Sequence, residues 1–268
     1  MPATRPVTDA DLSGWRERGW LHLPGAISPE RLAEVTAAVV QVEAWAAEVN
    51  AGETAPGLHH WEMTDGGPAL ARSEDLIGDS PVLRDLICAG PLLEIAGALF
   101  EEPAVLFKEK INYKQPGGAG FAPHQDAAAY RFVDHHVSCM VPLDPATEAS
   151  GCLSVVSGAH AGFLPTDPGG CIDADVAAGL AWEAAEVQPG DLLWFDSYTP
   201  HRSDTNRTER PRRALYLTYN AASQGEFRER YYADKRAEFA AEGGTFGDER
   251  VRISITADFL GRPVPGAR

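Results

Sequence analysis

The chain has 268 residues, 44% of them hydrophobic, with a formal net charge of −16 and a pI near 4.8. That apolar content supports a sizeable core and excludes a disordered chain, while the acidic balance argues against a broad nucleic-acid or anionic-membrane footprint. No run of about 18 apolar residues signals a membrane span, the N-terminal MPATRPVTDADLSGW lacks an apolar signal region, and the four cysteines form no C-x-x-C pair, so the chain reads as cytoplasmic with reduced, packed thiols.

Thr8, Asp9 and Asp11 suit a helix start, and a short amphipathic helix is expected over residues 8–19, followed by a strand at Trp20–Leu23. Ser28-Pro29-Glu30 opens a second helix, because serine caps, proline fits the first turn and the acid complements the dipole. Leu32, Val35, Val39 and Val42 continue it at helical spacing to about Asn50. Residues 51–75 lose that periodicity and are rich in Gly and Pro, yet hold His59, His60 and Trp61. They read as a lid or binding loop, or as a solvated connector. His59-His60 make an unpromising metal pair, since adjacent side chains seldom point at one centre. Two helices opening on Pro81 and Pro91 precede the break at Pro103.

After that break the pattern changes to short β-like runs between Gly/Pro turns, at 104–113, 135–143, 152–156, 185–188, 191–196 and 212–219. Such runs imply a sandwich or barrel. Helical text returns at 226–243. The organisation expected is one domain, mainly β with flanking helices. Its N-terminal region, residues 1–103, is expected to be helical, its β core to span about 104–220, and its C-terminal region, residues 221–268, to be helical again.

The chemistry concentrates at FKEKINYKQPGGAGFAPHQD, residues 107–126, which ends in the H-x-D triplet His124-Gln125-Asp126, and at Pro200-His201-Arg202-Ser203 far downstream. Two histidines and one carboxylate hold a metal on one face and leave the other open, the facial arrangement of non-haem Fe(II) oxygenases. Alternation places Lys108, Lys110 and Asn112 on one face of the preceding strand. Turned outward these lysines are ordinary solvated residues; turned inward they need anionic partners. Arg212 opens the strand RRALYLTY, where it grips a carboxylate from within the barrel or joins a surface ion pair. Arg207, Arg210 and Arg213 fit the surface role.

These segments together resemble the phytanoyl-CoA dioxygenase family of Fe(II)/2-oxoglutarate oxygenases, which includes ectoine hydroxylase. VPLDPATEASGCLSVVSGAH, 141–160, is similar to the family's strand-turn-strand, and QPGDLLWFDSYTPHRSDTNRTERPRR to its second motif. The resemblance implies a double-stranded β-helix (jelly-roll) core. It implies His124, Asp126 and His201 as iron ligands, and Arg212 and Ser203 on the distal carboxylate of 2-oxoglutarate, with Asn112 near that cosubstrate. It also implies dioxygen as second cosubstrate, succinate and carbon dioxide as coproducts, and hydroxylation of a substrate. Asp126 argues against a halogenase, since related halogenases lack this carboxylate.

For the substrate, Lys108, Lys110, Tyr130, Arg131, Trp61 and Trp194 are the candidate contacts. An inward cationic pair favours a small anion or zwitterion, for example an aminoalkylphosphonate; amino-acid-like or natural-product substrates fit as alternatives. A long acyl-CoA lacks a basic patch for its phosphates. A non-catalytic or hydrolytic metal-binding jelly roll is the reading from a different class, and the spacing of Ser203 and Arg212 from His201 speaks against it.

Overall fold

The computed structural model describes residues 6–64, 67–129, 132–241 and 263–264. Thr8 and Asp11 close a reciprocal capping box at α1 (Asp9–Arg18), and Gly19 ends that helix with φ at 79°, a left-handed conformation that glycine adopts without strain. β1 (Trp20–Leu23) follows, then α2 (Pro29–Asn50), capped by the Ser28 side chain on the Arg31 amide. β2 (Leu58–Thr64) and β3 (Gly67–Glu74) form a hairpin, and α3 (Pro81–Cys88) and α4 (Pro91–Phe100) both begin on proline. The β core holds β4 (Ala104–Lys114), β5 (Gly120–His124), β6 (His136–Pro142), β7 (Leu153–Val155), β8 (Glu183–Ala185), β9 (Leu192–Asp196), β10 (His201–Ser203) and β11 (Arg212–Ala221). A short α5 (Ala174–Ala178) lies between β7 and β8. α6 (Arg228–Ala241) follows β11, and β12 (Pro263–Val264) pairs with β5.

Two antiparallel sheets face each other. The larger runs β1-β9-β6-β11-β4-β3-β2 and the smaller β12-β5-β10-β7-β8. This is the double-stranded β-helix expected, and strand alternation explains its layers. On β11, Leu215, Leu217 and Tyr219 join Val137, Cys139, Val141 and Trp194 in an apolar layer against α2, α3 and α4. The opposite face, with Ala214 and Tyr216, packs between the sheets on Met140, Leu153, Val155 and Phe195. Among the described residues the four cysteines are free, and three of them are buried. No helix among them is long and apolar enough to cross a membrane.

Three expectations are corrected. Residues 51–75 are neither lid loop nor connector: β2 and β3 extend the large sheet through β4, pairing Arg72 with Asn112 and Glu74 with Lys110. The N-terminal region therefore supplies three strands to the β core and is not helical alone. Trp194, expected at the pocket, is fully buried on the helix-facing side of β9 beside Tyr219, 5.8 Å between ring centroids. Its neighbour Phe195 takes the inward position.

Candidate active site

β5 and β10 pair so that His124 lies opposite His201, and their rings sit 4.2 Å apart between centroids. His124 Nδ1 lies 2.7 Å from the Ala122 carbonyl and His201 Nδ1 2.9 Å from that of Thr199. A carbonyl only accepts, so each Nδ1 carries the proton and each Nε2 presents a lone pair. Asp126, on the short turn after β5, places Oδ1 3.7 Å from both Nε2 atoms. That oxygen is buried and takes no hydrogen bond among the described residues. The three ligand atoms converge within 4.8 Å of one another. Two neutral imidazoles and a carboxylate on one face are the donor set for a divalent iron, so these residues fit the metal that the motif implies. Burial, and then His201, press the His124 pKa down to about 3. For Asp126, burial acts against the charged form, but His201, His124 and Lys110 outweigh it and hold the carboxyl below its usual range.

Two adjoining chambers open from this centre and share Lys110, Asn112, Phe121 and Arg212. The inner one holds the triad, Ser203, Tyr216 and Thr218. Arg212 is 4% exposed, and its Nε and Nη1 are buried without a hydrogen-bond partner among the described residues. A guanidinium in that condition suits an incoming carboxylate, which would satisfy two donors at once. Lys114, opposite Arg212 in the β4–β11 register, donates to Ser203 Oγ at 2.9 Å, to the Gly151 carbonyl at 3.2 Å and to the Asp204 carbonyl. Burial, and then Arg212, lower the Lys114 pKa to about 7.

The outer chamber is lined by His60, Trp61 and Glu62 of β2, by Arg72 of β3, and by Phe121 of β5. Glu74, with no exposed surface, lies behind it. His60 Nε2 is 3.0 Å and Arg72 Nε 2.6 Å from Glu74 Oε1, and Lys235 of α6 is 2.5 Å from Oε2. Burial opposes the Glu74 charge, but Arg72, Lys235 and His60 hold its pKa well below the carboxylate range. Burial, then Arg72, take His60 down to about 4.

Asn112, Ser203, Arg212, Lys110 and Trp61 thus line the chambers, with His124, Asp126 and His201 in the inner one. Lys110 is buried in both, and burial, then Lys108 and Arg72, push its pKa well below the lysine range. Lys108 is also buried but does not line them; its ammonium lies 5.5 Å from the Tyr231 ring centroid of α6. Tyr130 and Arg131 lie outside the described residues. His59 is structural, bonded to Ser73 Oγ and the Pro56 carbonyl at 2.9 Å each. Arg213 forms the surface ion pair expected, with Asp144 at 2.9 Å. The sequence pattern did not single out Lys114, although the alternation 108, 110, 112 continues to it. Nor did it single out Arg72, Glu62 and Glu74, which only the β2–β3 hairpin brings to the site.

The family model described as phytanoyl-CoA dioxygenase (PhyH) matches residues 15–214. A methylphosphonate hydroxylase of Gimesia maris is 43% identical over 96% of this chain and 97% of its own length. A 2-aminoethylphosphonate dioxygenase of an uncultured bacterium is 36% identical over 96% of this chain and 98% of its own. Among solved structures, EctD from S. alaskensis with 2-oxoglutarate and 5-hydroxyectoine superposes with a TM-score of 0.69 at 22% identity, covering 84% of this chain and 82% of that one. The chain belongs to the phytanoyl-CoA dioxygenase family and is a 2-oxoglutarate-dependent dioxygenase.

Proposed function

We propose that this member of the phytanoyl-CoA dioxygenase family hydroxylates a small organophosphonate, with Fe(II) held by His124, Asp126 and His201 and with 2-oxoglutarate and dioxygen as cosubstrates. The carrying observation is the charge of the lining. Arg72, Lys110, Lys114 and Arg212 face the chambers against only two carboxylates, Glu62 and Asp126, among the described residues. Asp126 is committed to the metal. Arg212, shared by both chambers, and Lys114 across the register from it match one anion; Lys110, near the Arg72–Glu74 ion pair, matches a second. Buried cations are retained where an anion compensates them. The names of the two relatives, both acting on phosphonates, agree with that second anion.

Iron held by His124, Asp126 and His201 would supply the oxidative chemistry that couples 2-oxoglutarate decarboxylation to substrate hydroxylation. The protein's own role is placement. The Ala122 and Thr199 carbonyls fix both imidazoles in the tautomer that ligates. Arg212 takes the distal carboxylate of 2-oxoglutarate as a fork. Lys114 donates to Ser203 Oγ, so the Ser203 hydroxyl proton points away from Lys114 and is available to the same carboxylate. Lys110, lining both chambers, holds the substrate anion beside the metal, and Phe121, Leu153 and Phe195 keep the reacting carbon in apolar surroundings.

The test is succinate release by the Fe(II)-loaded enzyme with a panel of methylphosphonate, 2-aminoethylphosphonate, small amino acids, small dicarboxylates and neutral lipophilic molecules. Phosphonates should stimulate release most. Stimulation by neutral molecules above every anion would overturn the proposal, and stimulation by amino acids alone would move it to the carboxylated class.

A further inference from the structure

Among the described residues, Glu62 is the one lining carboxylate that neither the metal nor the Glu74 cluster uses. It stands two residues along β2 from His60, which faces Arg72 across the hairpin. The register shifts by a bulge between His60 and Trp61, a feature that re-aims side chains, and His60, Glu62 and Arg72 all line the outer chamber. The outer chamber therefore carries cationic groups at Arg72 and Lys110 and an anionic group at Glu62. The Gly117-Gly118 turn makes room for that carboxylate: a Cβ at Gly118 would lie 3.1 Å from Glu62 Oε1 and 2.8 Å from the Gln115 carbonyl. Among the described residues, no hydrogen bond or ion pair joins the Glu62 side chain to a neighbour. Burial raises its pKa, against the pull of Lys114.

We infer that Glu62 is a specificity-determining residue that receives the ammonium group of a short aminoalkylphosphonate whose phosphonate rests on Arg72 and Lys110. The inference rests on the phosphonate reading above and narrows it to a zwitterion with charges at opposite ends of a chain of a few bonds. A phosphonate anchored at Lys110 places the adjacent carbon toward the triad and sends the amine outward along the hairpin, where Glu62 stands. Methylphosphonate has nothing to offer that carboxylate. For it, Glu62 is only a like charge in the same chamber.

The experiment compares 2-aminoethylphosphonate and methylphosphonate in steady-state succinate assays of the wild type, Glu62→Gln and Glu62→Asp. In Glu62→Gln, the KM for 2-aminoethylphosphonate should rise roughly 10- to 100-fold, the loss expected for one charge-assisted hydrogen bond. The KM for methylphosphonate should stay or fall, and that for 2-oxoglutarate should stay. Glu62→Asp, which keeps the charge, should recover some of the loss. Equal changes for both phosphonates, or a rise in the 2-oxoglutarate KM alone, would overturn the inference by making Glu62 a counter-ion of Lys114. Wild-type turnover of methylphosphonate but not 2-aminoethylphosphonate would overturn it and leave the phosphonate reading standing. Turnover of neither would overturn that reading itself.

Discussion

Arg212→Ala separates cosubstrate binding from fold stability in a way the structure makes calculable. Arg212 is 4% exposed, begins β11 opposite Lys114, and keeps two buried guanidinium nitrogens without a hydrogen-bond partner among the described residues. A forked, charge-assisted pair with the distal carboxylate of 2-oxoglutarate should contribute about 2–4 kcal/mol, so the substitution should weaken 2-oxoglutarate binding by roughly 30- to 1000-fold. Unsatisfied buried donors cost about 1–3 kcal/mol in the ligand-free protein. Removing them offsets the packing lost on truncation, so the ligand-free melting temperature should change little while the rise produced by 2-oxoglutarate disappears. Arg212→Lys should recover only a fraction of the affinity, because a point charge cannot form the fork. Anaerobic calorimetry with 2-oxoglutarate, paired with melting curves at saturating and zero cosubstrate, reads both quantities. Unchanged affinity in Arg212→Ala would refute the reasoning and assign the carboxylate to another cation, with Lys114 first.

The other predictions concern what surrounds the site. Glu74→Gln leaves Arg72, His60 and Lys235 without their shared carboxylate. The expected loss is about 3–5 kcal/mol, or roughly 6–20 °C in melting temperature, and a shift under about 2 °C would contradict the role given to this cluster. Gly120→Ala would place a Cβ 2.1 Å from the Ser203 carbonyl and force β5 from β10, where His124 faces His201. It should lower iron content and turnover, while Gly78→Ala, with open space at its Cβ, should change neither. For pH, burial depresses His60 to about 4 and His136 to about 3, so both are neutral in the fold. The unfolded chain takes up these protons first, beginning near the ordinary histidine value of 6.5. Stability is therefore complete above that pH and lost as pH falls toward 4, by up to about 1.4 kcal/mol per unit for each histidine. Melting curves of the metal-free protein at about pH 7, 6 and 5 should show a progressive drop, and a flat or rising trend would contradict the neutral assignment.

Much of this was legible where local rules govern. Thr8 and Ser28 mark their helices because a hydroxyl accepts from the backbone amides exposed at a helix start. Pro81 and Pro91 open helices for the reason proline tolerates a first turn. Alternation put Lys110 and Asn112 on one face of β4, and the inward side of that face follows from the ligands just beyond it. The hairpin β2–β3 was not legible, because its flanking Gly and Pro masked the strand-forming His, Trp and Thr positions, and its stability comes from pairing with β4. β5 and β10 were missed because Gly120 and Pro123 interrupt the first, and the second, His201-Arg202-Ser203, shows no apolar run. Trp194 was misplaced because every residue of β9 is buried, so hydrophobicity alone cannot say which face turns toward the helices. Glu74, Arg72 and Lys235 were not singled out, because Lys235 lies far from the other two in sequence and only the tertiary fold brings them into one buried cluster.

The central claim is that His124, Asp126 and His201 hold the iron on which turnover depends. The most direct measurement is iron per chain, together with 2-oxoglutarate-dependent succinate formation, in the wild type and in His124→Ala, Asp126→Ala and His201→Ala. The structure predicts about one iron per wild-type chain and, for each variant, loss of most of the metal and nearly all succinate, since three ligands leave no redundancy in the facial set. Full activity with full iron in any one of the three variants would contradict the claim.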